Sequence, residues 1–471
     1  MLNHFNFKRT EDGAFLVTND FGRYEFLTPE EFRGLLTGSL DAKSALYGKL
    51  HQDGFLLNPF QIYGPEIAAR IRDMKSYVFS ATSLHIFVVT NACNLRCAYC
   101  QAQSDPNHTD GMMSEETAKR AVDIALQSPA NRLTFEFQGG EPLRNFPAIR
   151  FIVEYAEVVK GKKDISFTVV SNLSLLNDRI LDFFIEHHVS VSMSLDGPQI
   201  LHDQNRTFIG GQGSYRAVMA GLEKIRASGA SAGAIQTTTR ASLAFPREIV
   251  REYQRNGLRG LFLRPLTPLG FAKSEWEKIG YAPEEFLQFY KTAFNEILNV
   301  NREGVFFPEQ HATYFLTKIL GGYSINYMEL RSPCGAGIGQ LAYYYNGDIY
   351  TCDEARMVAE AGDSAFRLGN VLTADYASLM SASACRAACS ASILEGIPGC
   401  CDCVYQPYCG VCPVVNYAAN GDLYVKTAGE YRCKIYAGML DFLFSLIRQG
   451  NPEVMNILYG WIKERSENGN E

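Results

Sequence analysis

Several features common in other protein classes are missing from this chain. No stretch approaches about eighteen uninterrupted apolar residues, the length a helix needs to cross a hydrocarbon layer, so no membrane association is expected. The first ten residues, MLNHFNFKRT, lack the apolar core of a secretory signal, which points to a cytoplasmic protein. A basic excess is also lacking: 44 Lys and Arg stand against 51 Asp and Glu, for a formal charge of −7. That balance argues against a general nucleic-acid surface. Nor do the cysteines form a disulfide framework. There are 13, an odd number gathered in short clusters, which suits thiolate ligation in a reducing compartment. What the chain does have is material for a core, 46% apolar residues over 471 positions, enough for two or three domains.

Residues 1–80 read as a small unit. Alternation in AFLVTND and RYEFLTP predicts a hairpin with Asp20-Phe21-Gly22 near its turn. Thr28-Pro29-Glu30-Glu31 then predicts an N-cap with proline at the first helical position, leading to two short helices that end near Asp53-Gly54. From 81 to 300, strand and helix signals alternate six times, with strands expected at 84–91, 133–140, 165–172, 190–197, 232–240 and 260–267. Six βα units predict an α/β fold, a parallel sheet curled into a partial (βα)6 barrel with its chemistry at the C-terminal strand ends. Residues 301–330 read as a helical bridge, 331–440 as a cysteine-rich domain and 441–471 as a C-terminal helix.

The stretch 84–100, LHIFVVTNACNLRCAYC, organises the rest. A buried strand runs into a loop that gathers Cys93, Cys97 and Cys100 within eight residues. C-x3-C-x2-C spacing wraps three corners of a four-iron cluster and leaves the fourth iron open, the mark of a catalytic rather than a structural site. A zinc knuckle or redox thiols are the alternatives. Downstream, Gly139-Gly140-Glu141 ends the second strand, where glycines let the backbone approach a charged amino acid moiety. Ser171-Asn172 ends the third and Ser194 to Asp196 the fourth, short polar side chains suited to ribose hydroxyls and carboxylate. On the sixth, Leu266 offers an apolar surface for a base.

Strand followed by C-x3-C-x-Tyr-C, with Tyr99 before the last cysteine, resembles the signature loop of the radical S-adenosylmethionine (radical SAM) enzymes. The resemblance implies that SAM chelates the open iron and yields a 5′-deoxyadenosyl radical that removes hydrogen from substrate. It implies further that Gly139, Gly140 and Glu141 hold the SAM amino group and that Arg206, in HDQNR, pairs with its carboxylate.

The C-terminal cysteines are similar to the SPASM extension of this family, which carries one or two auxiliary four-iron clusters. Carried over by position, Cys400, Cys403, Cys409 and Cys433 hold one cluster and Cys334, Cys352 and Cys412 the other. A cysteine found a few residues before Cys334 in eight-cysteine relatives is replaced here by the segment 328–333, leaving an open iron or a ligand from Cys385, Cys389 or substrate. Cys401 fits neither set, and a zinc ribbon is the alternative for the whole field. Asp353, directly after Cys352, corresponds to an aspartate that acts as general base in sulfatase-maturing relatives. Motifs over nearly the whole chain are similar to the maturases of the His-Xaa-Ser peptide system, and the N-terminal unit resembles a winged-helix leader-peptide element. These resemblances imply a peptide maturase acting on a ribosomally made precursor, with a flavodoxin- or ferredoxin-type reductant as partner. A formylglycine-generating sulfatase maturase and a non-catalytic iron–sulfur or zinc protein are the alternatives.

Overall fold

The computed structural model describes residues 1–58, 64–104, 111–322, 325–425 and 428–468. Parts of the expected N-terminal unit, the bridge and the C-terminal helix, at 59–63, 323–324 and 469–471, lie outside the described residues. Three strands open the chain, β1 (Asn6–Arg9), β2 (Phe15–Thr18) and β3 (Tyr24–Leu27), paired antiparallel in that order. The expected hairpin is β2–β3, and β1 adds a third strand to it. Thr28 then caps the helix Pro29–Thr37 in a capping box: its hydroxyl accepts the Glu31 N–H at 3.2 Å and its own N–H donates to the Glu31 carboxylate at 2.8 Å.

A nine-stranded sheet carries the rest. Its parallel strands are β4 (Leu84–Thr90), β6 (Arg132–Gly139), β7 (Asp164–Ser171), β8 (Val189–Ser194), β10 (Ala232–Thr237) and β11 (Leu263–Arg264), neighbours in chain order. A short antiparallel pair stands apart, β5 (Leu95–Cys97) with β9 (Arg206–Phe208). These are the six βα units of the expected partial barrel. The alternation of β6 illustrates why: Leu133, Phe135 and Phe137 are buried under the surrounding helices, while Thr134, Glu136 and Gln138 line the barrel interior. Phe135 packs on Phe87 at 4.9 Å between ring centroids, and each fully buried ring of this kind contributes about 1.5–3 kcal/mol. Over this face lies the helix Glu115–Ala125, capped by Ser114 and burying Ala118, Ala121, Val122 and Ala125.

Two features differ from the expectation. The sixth strand is only two residues long, because Pro265 and Pro268 supply no N–H for a ladder. The cysteine-rich region, moreover, is fused to the barrel. Its strands β12 (Gln340–Tyr344), β13 (Asp348–Tyr350) and β14 (Arg367–Asn370) extend the same sheet, with β12 running parallel to β4. Leu341 pairs with His85, and Tyr343 Oη meets His85 Nδ1 at 3.0 Å. Burial holds that imidazole neutral, its pKa lowered to about 3.

Two helices close the chain, Tyr431–Gln449 and Pro452–Asn468, where one was expected. Phe442 and Trp461 pack edge-on against Phe294 of the helix Pro283–Arg302. The N-terminal unit docks on the last cysteine field: Thr18 Oγ1 donates to the Val404 carbonyl at 2.7 Å and Asn6 Nδ2 to those of Cys401 and Cys403 at 3.1 Å. Among the described residues no helix is long and apolar enough to cross a membrane.

Candidate functional site

The loop after β4 is built by close backbone approach. Gly140 N–H donates to the Thr90 carbonyl and Glu141 N–H to that of Ala92, both at 2.9 Å. A Cβ at Gly140 would fall 2.4 Å from the Ala92 oxygen, so only glycine lets the second strand end this near the first. On the other side β5 pairs with β9, setting Cys97 opposite Arg206. Arg206 Nη1 lies 3.8 Å from Cys97 Sγ, and the Leu95 N–H donates to Cys93 Sγ at 3.4 Å.

Cys93, Cys97 and Cys100 open into one cavity of 1290 Å³. Tyr99, Gly139, Gly140, Glu141, Ser171, Asn172, Ser194 and Arg206 line it with them, so eight of the ten expected cofactor-contacting residues converge there. Asp196 stands behind the wall. Fully buried, its carboxylate accepts from Tyr99 Oη at 2.8 Å, Asn205 Nδ2 at 3.1 Å and Arg206 Nε at 3.2 Å. It fixes Arg206 and Tyr99 rather than facing the cavity. Leu266 lies outside the cavity. The short sixth strand turns it into the packing beside Tyr281, whose hydroxyl accepts the Leu266 N–H at 2.7 Å. The Glu141 carboxylate is already engaged, accepting from Leu143 N–H at 3.0 Å, Ser171 Oγ at 2.8 Å and Asn172 N–H at 2.8 Å. It ties the ends of β6 and β7 together.

Asp353 reaches the cavity from the opposite side, held by Arg356 at 2.8 Å. Arg356 also donates to Gln138 at 3.4 Å, and Gln138 to Glu136 at 2.5 Å, a polar chain from the barrel to the cysteine-rich region. Burial raises the Glu136 carboxyl from 4.5 to about 7. Arg264 spans the same wall, paired with Glu329 at 2.7 Å. Burial alone would raise Glu329, but Arg264 and Arg432 hold it down to about 2. Glu136, Gln138, Arg264 and Arg356 were not anticipated. The signal was available in TFEFQGGE, where polar residues alternate with phenylalanine in a strand whose core face is already filled.

The remaining cysteines form two groups. Cys400, Cys403, Cys409 and Cys433 influence one another's charge, and burial raises Cys400 and Cys409 to about 12. Cys334, Cys352 and Cys412 are buried together in a second cluster of packed apolar residues. Cys385 and Cys389, one helical turn apart, hydrogen-bond to each other instead. Grouped thiols at such depth remain protonated unless a cation offsets their charge, and an iron–sulfur cluster is such a cation-bearing group. Backbone N–H groups aimed at Cys93, Cys334, Cys352, Cys403 and Cys412 add the donors that thiolate ligands take. The chemistry of these donors suits iron–sulfur clusters, while among the described residues no three His, Cys, Asp or Glu side chains stand placed to hold a single metal ion.

Comparison with known proteins agrees. The model of the radical SAM superfamily matches residues 87–263. An uncharacterized protein of Methanocaldococcus jannaschii is 31% identical over 39% of this chain and 62% of its own length, and one of Synechocystis is 31% identical over 40% and 49%. The chain thus spans about half to three-fifths of those two relatives. A cysteine-type anaerobic sulfatase-maturating enzyme of Clostridium perfringens is 24% identical over 58% of this chain and 74% of its own. Among solved structures, native anSMEcpe with bound AdoMet superposes with a TM-score of 0.69 at 20% identity, covering 80% of this chain and 99% of that one. Streptococcus suis SuiB bound to precursor peptide SuiA gives 0.55 at 14%, covering 90% and 98%. These last two are likenesses of fold. The match does not single out the His-Xaa-Ser maturases. Residues 87–263, whose strand ends build the cavity, are the part of the chain that matches the radical SAM superfamily.

Proposed function

We propose that this protein is a radical SAM maturase acting on a peptide. The observation that carries the reading is the cavity: one space of 1290 Å³ bordered by the Cys93 loop and the glycine strand end on one side and by Asp353, Glu354 and Arg356 of the cysteine-rich region on the other. Small-molecule sites run to about 300–1,000 Å³, so this one has room for SAM and an extended peptide segment together.

In this reading Cys93, Cys97 and Cys100 hold the four-iron cluster, and the SAM amino acid moiety lies along Gly139 and Gly140. Arg206, fixed by Asp196, meets its carboxylate, and Ser171, Asn172 and Ser194 meet the ribose and neighbouring polar groups. When bound, cluster and SAM supply a 5′-deoxyadenosyl radical, the agent that removes a hydrogen atom from substrate. Asp353, oriented by Arg356, takes up the proton released as the substrate is oxidised. Cys400, Cys403, Cys409 and Cys433 hold one auxiliary cluster and Cys334, Cys352 and Cys412 a second. The β1 edge of the N-terminal sheet offers unpaired backbone groups to a leader peptide, and a flavodoxin- or ferredoxin-type protein supplies electrons. A sulfatase-type substrate is the second reading, favoured by the similarity to the C. perfringens maturating enzyme.

Anaerobically reconstituted protein is expected to hold about twelve irons per chain, falling to about eight in Cys93→Ala/Cys97→Ala/Cys100→Ala with loss of SAM cleavage. Stoichiometric zinc with little iron would sink this reading. Peptide product seen by mass spectrometry only when a leader is present selects a precursor peptide; formylglycine made on a leaderless peptide selects the second reading.

A further inference from the structure

In a closed parallel barrel the inward positions are filled by bulky branched side chains, which makes the interior a packed core. Here three adjacent strands carry hydroxyls at those positions instead. Thr134 of β6, Ser166 and Thr168 of β7, and Ser190, Ser192 and Ser194 of β8 all line the cavity. The alternate residues Phe135, Phe167, Val169 and Val191 are the buried ones. Strand register sets the hydroxyls side by side: Thr134 pairs with Ser166 and Thr168 with Ser190, and Thr134 Oγ1 lies 3.1 Å from Ser166 Oγ. Side chains this small do not fill a barrel, so the cavity runs the length of the strands.

At the N-terminal strand ends the same cavity is bordered by Ser80, Asn131, Arg132 and Asp164, all exposed. Ser166 and Ser190 are exposed as well, although they stand on the inner face. The hollow therefore has a lower mouth, at the end opposite the Cys93 loop. Its flank beside the edge strand β11 is occupied: Tyr327 meets Phe262 with ring centroids 6.5 Å apart, and Glu329 holds Arg264 at 2.7 Å and Arg432 at 2.8 Å. β7 is eight residues long. At about 3.3 Å per residue and a tilt of about 36°, the hollow is about 20 Å deep, the reach of about six extended residues.

A hydroxyl both donates and accepts, so a row of them bonds peptide N–H and C=O groups whatever side chains the peptide carries. We propose that the peptide substrate enters through this lower mouth and lies extended along the hydroxyl row of β7 and β8, with its target residue at the Cys93 end. About six residues of chain then separate the target from the mouth. This rests on the reading that SAM is cleaved beside the Cys93 loop.

The test uses full-length protein, reconstituted anaerobically, with Ser190→Cys at the mouth. The new thiol is capped with a maleimide-bearing glycine chain deuterated at Cα, either about six residues long or a single residue. With dithionite as electron donor, SAM breaks to methionine and the 5′-deoxyadenosyl radical, whose C5′ takes a deuterium atom from a glycine Cα. One C–D bond breaks, another forms, and the unpaired electron stays on the glycine. The unsubstituted protein treated alike sets the background. Deuterated 5′-deoxyadenosine from the long tether should exceed that from the short one by at least about tenfold, because the short tether does not span the distance. SAM cleavage without deuterium transfer from the long tether, equal transfer from both, or a thiol that maleimide reaches only in urea overturns the proposal. No SAM cleavage in the unsubstituted protein overturns the underlying reading instead. Ser166→Cys, on the neighbouring strand, repeats the measurement should Ser190→Cys not fold or not cleave SAM.

Discussion

Replacing Asp196 by asparagine should be among the most damaging single changes in the barrel, although Asp196 does not face the cavity. The pair it makes with Arg206 is buried on both sides, with side-chain exposures of 0% and 10%. Asparagine keeps one acceptor for Tyr99 and Arg206 but turns an amide N–H2 toward Asn205 Nδ2, and it leaves the guanidinium without a counter-charge. Breaking a buried pair from one side costs about 3–5 kcal/mol, most of it from the uncompensated charge. Arg206→Met should cost a similar amount from the other side. The decisive variant is Asp196→Asn/Arg206→Met. With no lone charge left, its loss should be smaller than the sum of the two single losses by at least about 2 kcal/mol. Urea unfolding under anaerobic conditions measures all three. The double variant should nevertheless remain inactive in SAM cleavage, because Cys97 has lost its guanidinium neighbour and the cavity its cation beside the cysteine loop. Additive losses, or a double variant that cleaves SAM normally, would refute the reasoning.

Two further outcomes follow from the same structure. Gly140→Ala should weaken SAM binding by more than about tenfold with far-UV circular dichroism unchanged, because a methyl 2.4 Å from the Ala92 oxygen displaces the approach to Cys93 at an overpacking cost of about 1–3 kcal/mol; unaltered binding would contradict it. Glu136 has a folded-state pKa above its ordinary value, so its favourable contribution is present below about pH 4.5 and is lost as pH rises through about 7. Glu136→Gln keeps the acceptor for Gln138 and does not titrate, so it should gain about 1–3 kcal/mol on wild type between pH 4.5 and 8. Parallel stability curves for the two proteins would rule this out.

Much of the site was legible because it depends on local spacing. The Cys93 loop, the glycine strand end and Ser114 as a cap follow from a few consecutive residues, and each lies where its motif placed it. What sequence did not reveal was set by partners far along the chain. Glu141 reads as a ligand by its motif, yet its carboxylate clamps Ser171 and Asn172, thirty positions on. Leu266 reads as a base-stacking residue, but the two prolines flanking it cut its strand short and turn it into the packing.

The pairing of β12 with β4 bears on how this molecule is made. A strand synthesised near residue 84 must wait for its neighbour at residue 340, and the N-terminal sheet meets Val404 across 386 residues of chain. Contacts this distant in sequence form slowly and leave strand edges exposed meanwhile. On the ribosome, therefore, the barrel cannot finish its wall before the cysteine-rich region emerges. Chaperone dependence and low yield from truncated chains should both trace to that single unpaired edge of β4.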